Sequence, residues 1–216
     1  MSDTSQRRTM MVDTQVRPSD VTKYPIIDAM LTVPREQFVP DGQAEAAYAD
    51  TLIALGAGRV MVEPRTFAKM LDAVSVQPDE LILSVGGGLG YTAAVLARMA
   101  EFVVAVEDED LASEAESRLS DAGIDNVAVI AGPLVDGAAK HGPYDVIFVE
   151  GAIEFLPRAL EEQVAEGGRI VAIFADGNLG TVRVGQKVDG HLNWRFAFNA
   201  SAPVLPGFSK AKEFAL

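Results

Sequence analysis

The stretch between residues 81 and 174 constrains the fold most. Short apolar runs at 81–85, 102–106, 127–131, 144–149 and 169–174 alternate with segments of helical period. The helices are read over 91–100, around Leu111, Ala115 and Leu119, and over 157–165, where Gly167-Gly168 ends the last. Strands that alternate with helices imply right-handed crossover units and a parallel sheet covered on both faces. The expected class is therefore α/β, with a mostly parallel, Rossmann-like sheet. A different pattern follows. Residues 181–188 and 192–198 each alternate apolar and polar positions around Asp189-Gly190, a hairpin turn signal. An antiparallel hairpin at the C-terminal edge of the sheet is expected.

The flanks are less regular. Residues 1–19 are polar without a clear period, which predicts a loose arm. Val21, Ile26, Ile27, Met30 and Leu31 suggest a short helix interrupted by Pro25, and two prolines turn the chain between Val33 and Pro40. Residues 51–55 read as a short strand before Gly56-Ala57-Gly58. After Pro64, Phe67, Met70, Leu71 and Val74 recur at helical spacing. The expected organisation is one domain over 20–216: a helical part over 20–76, a ligand-binding core over 79–175, and a hairpin with its tail over 176–216.

Composition excludes several functions. Eighteen basic against 31 acidic residues give a net charge of −13. Such a chain lacks the basic face that duplex nucleic acid or an anionic membrane requires. There is no cysteine and there are two histidines, His141 and His191. Thiol nucleophiles, disulfides and thiolate or histidine-rich metal sites are not expected. The first residues carry charge without a following apolar stretch, so no export signal is expected and a cytoplasmic location is.

The candidate site lies after the first strand of the alternation. Gly86, Gly88 and Gly90 allow a tight turn and close approach of a ligand, with a helix N-terminus behind them. Glu107 ends the next strand, where an acid commonly bonds ribose hydroxyls. The spacing is not the dinucleotide fingerprint, because the position that needs its last glycine is Tyr91. Gly-x-Gly-x-Gly resembles instead the S-adenosylmethionine loop of class I methyltransferases.

Further blocks make the resemblance specific. Ala29-Met30, the run from Val33 to Pro40, Ala47-Tyr48-Ala49-Asp50, Gly56-Ala57-Gly58 and Glu63-Pro64 precede the loop. Val106-Glu107, Asn126-Val127, Pro143-Tyr144-Asp145, Leu156-Pro157 and Gln163 with Gly167-Gly168-Arg169 follow it. In this order they resemble the protein-L-isoaspartate O-methyltransferase family over roughly residues 20–175. The resemblance implies methyl transfer from S-adenosylmethionine to the carboxylate of an isoaspartyl residue in a damaged protein or peptide. It places the cofactor at Ser84, Gly86, Gly88, Gly90 and Glu107.

The chain departs from the family pattern at working positions. Ser84 stands where the family has an acid before the glycine loop, and Pro133 where it has an acid after the third strand. Val60 and Val62 occupy the hydroxyl positions that orient the substrate carboxylate, and Glu150 replaces a threonine. No catalytic residue is therefore assigned. Two lost hydrogen bonds to charged groups, at roughly 1.5–3 kcal/mol each, predict cofactor binding weaker by powers of ten. Two further readings follow: a non-catalytic relative that binds a ligand or a protein, and a methyltransferase for another acceptor. Arg59 is read as a surface residue or one that attracts an acidic substrate. The apolar residues after Pro203 are expected to dock on their own domain or on a partner, and the oligomeric state is left open.

Overall fold

The computed structural model describes residues 3–177 and 179–210. Phe214 and Leu216 of the apolar C-terminal stretch lie outside them. Seven strands form the main sheet: β3 (Leu81–Val85), β4 (Phe102–Glu107), β5 (Val127–Ala131), β6 (Tyr144–Ile153), β7 (Val164–Asp176), β8 (Leu179–Val188) and β9 (His191–Asn199), in the order β5-β4-β3-β6-β7-β8-β9. β3 to β7 pair in parallel, whereas β8 and β9 add antiparallel to the edge. This is the expected Rossmann-like α/β architecture with its C-terminal hairpin. Asp189 and Gly190 both take positive φ, +52° and +77°, as a tight two-residue hairpin turn requires.

The central strands are continuous apolar runs because both faces are covered. Ile82, Val103, Val146 and Phe148 belong to one core, which also receives α2 (Tyr24–Thr32), α3 (Pro64–Val74) and α4 (Tyr91–Ala97). Leu83, Val85, Val104 and Ile147 face the other, with Leu160 of α6 (Arg158–Gln163) and with Leu205 and Phe208 of the tail. α5 (Glu109–Asp121) lies against the β5 edge and sends Leu119 into the first core. Arg169 ties β7 to the end of α3 and the start of β3: its guanidinium donates to the carbonyls of Val74 and Ser75 and to both oxygens of Glu80.

Three expectations need correction. The first 19 residues are not a loose arm. Asp3–Met11 is helix α1, followed by a wide helical turn over Val12–Val16 and a tighter one over Arg17–Ser19. Met11, Val12 and Val16 are fully buried, so the segment is fixed by its last turns rather than by an apolar stripe. Pro25 does not interrupt a helix. It sits in the first turn of α2, where its missing N–H has no partner to lose. Finally, Gly167-Gly168 do not end the helix read over 157–165: α6 stops at Gln163, and both glycines lie in β7. A small separate sheet pairs β1 (Ile53–Gly56) antiparallel with β2 (Arg59–Met61).

Candidate functional site

Ligands of open α/β sheets bind beyond the carboxyl ends of the strands, where the strand order reverses. Here that place lies beyond β3, β4 and β6. β3 runs into the glycine loop, which is fastened by the Gly86 N–H donating to the Val106 carbonyl at 3.2 Å. Gly86, Gly88 and Gly90 have φ of +79°, +61° and +101°. A side chain there would be strained, so the glycines are needed for the turn itself.

Glu107 ends β4 and is 2% exposed. Its carboxylate is held by Arg59, whose two terminal nitrogens donate to the two oxygens at 2.9 and 2.8 Å. The Gly88 N–H bonds Oε1, the oxygen that Arg59 meets at 2.8 Å, and the Asp108 N–H, at 3.3 Å, bonds Oε2. A carboxylate has about four lone-pair positions, and these four donors use them. Burial pushes the Glu107 carboxyl up from its ordinary range, and the Arg59 guanidinium and the loop N–H oppose this only in part.

Arg59 is therefore not a surface residue, for it is 2% exposed. It enters from β2 beside the equally buried Met61, while Val60 between them is only partly buried. Strand alternation was the signal that could have found it: Arg59 shares the inward face with Met61. The same hairpin brings Leu55, whose Cδ1 would lie 2.2 Å from a Cβ on Gly88. Arg59 Nη2 and Leu205 Cδ1 would lie 3.0 and 3.2 Å from a Cβ on Gly86. Side chains of this chain thus pack directly on Gly86 and Gly88. Sequence reasoning missed Leu55 and Leu205, because nothing local marks an apolar residue as a cleft cover.

Ser84 is buried, and its Oγ has no hydrogen-bond partner. Val62 is buried, and its N–H donates to Oε1 of Glu150 at 3.0 Å. Thr92 of α4 donates to the other oxygen of Glu150. Val60 pairs with Ala54 within the hairpin. Pro133 leads into the turn Leu134–Asp136, next to Gly132, whose N–H bonds the Glu107 carbonyl. The fold thus gathers Ser84, the glycine loop, Glu107, Val62 and Glu150 at one end of the sheet. Among the described residues no group of three or more His, Cys, Asp or Glu is placed to hold a metal ion. No described helix is long and apolar enough to cross a membrane.

A family model described as protein-L-isoaspartate(D-aspartate) O-methyltransferase matches residues 6–196. The chain belongs to this family. A protein-L-isoaspartate O-methyltransferase of Koribacter versatilis is 37% identical over 186 residues, which cover 86% of this chain and 84% of that protein. One from Methylorubrum extorquens is 38% identical over 170 residues, 78% of this chain and 74% of the other. A solved protein-L-isoaspartate O-methyltransferase superposes with a TM-score of 0.82 at 24% identity, covering 93% of this chain and 66% of that one. A putative family member from Plasmodium falciparum, in complex with S-adenosyl-L-homocysteine, superposes at 0.79 and 19% identity over 92% of this chain and 97% of its own. These two structures establish the shared fold.

The family's methyl donor is S-adenosylmethionine. In this conformation the residues present do not fit it. Glu107 has its acceptor positions filled, and Leu55, Arg59 and Leu205 pack on Gly86 and Gly88.

Proposed function

We propose that this chain is an S-adenosylmethionine-dependent carboxyl methyltransferase of the cytoplasm that acts on isoaspartyl residues of damaged proteins. The observation that carries this reading is the family match, which spans nearly the whole sheet and includes the glycine loop and Glu107. The acceptor carboxylate is already a nucleophile, and a sulfonium is an activated donor. The reaction therefore needs alignment and exclusion of water more than an acid or a base. Buried apolar residues such as Val62 suit a dry reaction space. Ser84, Gly86, Gly88, Gly90 and Glu107 are the residues assigned to the donor once the cleft opens.

A second reading is favoured by one observation. The Arg59–Glu107 pair and Leu205 close the donor side from within. A relative that has given up catalysis and binds a protein would look the same. The test is incubation of the purified protein with methyl-labelled donor and an isoaspartyl peptide, read as base-labile label in the peptide. Label above the enzyme-free control is expected. A folded protein that transfers none turns the assignment to the second reading.

A further inference from the structure

The Arg59–Glu107 contact imitates a ligand. The ribose of a nucleoside presents two adjacent hydroxyl donors to an acid at the end of the second parallel strand. A guanidinium presents two parallel N–H donors in a fixed fork. Here the fork meets both oxygens of Glu107 at 2.8 and 2.9 Å, and its outer edge lies against Gly86.

We propose that Arg59 is an internal competitor for the donor's ribose, a latch that must leave Glu107 before S-adenosylmethionine binds. The proposal rests on the reading of the cleft as a methyl-donor site. Three features of the structure support it. Arg59 comes from a two-stranded hairpin outside the main sheet, so its side chain takes no part in the pairing of β3 with β4. The half-exposed Asp108 already lies 3.2 Å from its Nη1, so a guanidinium released from Glu107 keeps an acidic partner on the solvent side. The Nε of Arg59 is buried without a hydrogen-bond partner, so the closed position leaves one donor unsatisfied. The cost of opening appears as weakened donor affinity, because a ligand that must first displace an internal group binds in proportion to the open fraction.

The experiment is calorimetric titration of S-adenosylhomocysteine into wild type, Arg59→Ala, Arg59→Lys and the double variant Arg59→Ala/Glu107→Ala, each checked by its melting curve. Arg59→Ala should bind about tenfold or more tightly than wild type, the effect of freeing a carboxylate for one or two charged hydrogen bonds. The double variant should lose that gain. Arg59→Lys keeps a cation opposite Glu107 but cannot fork across both oxygens, so it should fold and fall between the two. If Arg59→Ala does not fold, the comparison of Arg59→Lys with wild type decides: tighter binding supports the latch, equal or weaker binding overturns it. Wild type as tight as folded Arg59→Ala, or binding by neither, also overturns it. The two readings fail separately. An Arg59→Ala variant that gains affinity yet methylates no isoaspartyl peptide keeps the latch and removes the catalytic reading. A wild type that turns over and binds as tightly as Arg59→Ala does the reverse.

Discussion

Glu150 shows what burying a carboxyl within β6 does. The residue is 2% exposed, and its carboxyl accepts from the Val62 N–H and meets the Thr92 hydroxyl. Burial pushes its pKa up, and Thr92, the Val62 N–H, Arg35 and Arg59 only partly oppose this. The native protein therefore holds this proton above the ordinary carboxylate range, where the unfolded chain has released it. Stability from this site is full below the unfolded pKa and falls as pH rises through the native one. Glu150→Gln has no proton to lose, and its amide can serve both partners. The urea midpoints of wild type and variant should be closest at about pH 5 and below, with the variant gaining as pH rises above the ordinary carboxylate range. Parallel profiles would show that the native carboxyl titrates as it does in the unfolded chain. The buried proton also bears on chemistry, since a neutral Glu150 repels an acceptor carboxylate less than an ionised one.

At the scale of elements, α1 and the turns after it carry the clearest prediction. Met11 is 1% exposed and packs in the same core as α2 and α3. Met11→Ala should lower unfolding free energy by about 2–4 kcal/mol in a denaturant titration, the usual cost of a large-to-small change in a core. A change under about 0.5 kcal/mol would restore the loose arm. The reason the sequence hid this element is physical. Periodicity reports a helix that buries a face, and α1 buries only its end. Where burial extended along an element, the pattern was legible: β3 and β5 lie where their apolar runs do, and α3 begins at Pro64 as read. The site was half legible. Gly86–Gly90 and Glu107 announce themselves by position after a strand. The partner of Glu107 lies 48 residues earlier in a three-residue strand, and only tertiary packing joins the two.

At the scale of the whole molecule, the carboxyl end of the sheet is closed from two sides. The β1–β2 hairpin reaches it from one side, and the tail after β9 crosses it from the other. The tail is part of the fold: the Ala152 N–H donates to the Pro203 carbonyl, the Leu205 N–H to Ala152, and the Glu154 N–H to Phe208. Gly151, at φ +133°, leaves room for Leu205, which would lie 2.5 Å from a Cβ there. Leu205 is 4% exposed and Phe208 is fully buried. Leu205→Ala should therefore cost about 2–4 kcal/mol. It should also speed hydrogen exchange at the Ala152 and Glu154 amides while those of β3 stay protected, because a local opening needs less free energy than global unfolding. If all of these amides accelerated together, the tail would be bound into the same cooperative unit as the central strands, and the cleft could not open on the tail side without unfolding the sheet. Opening would then fall to the hairpin alone, the element that carries Arg59.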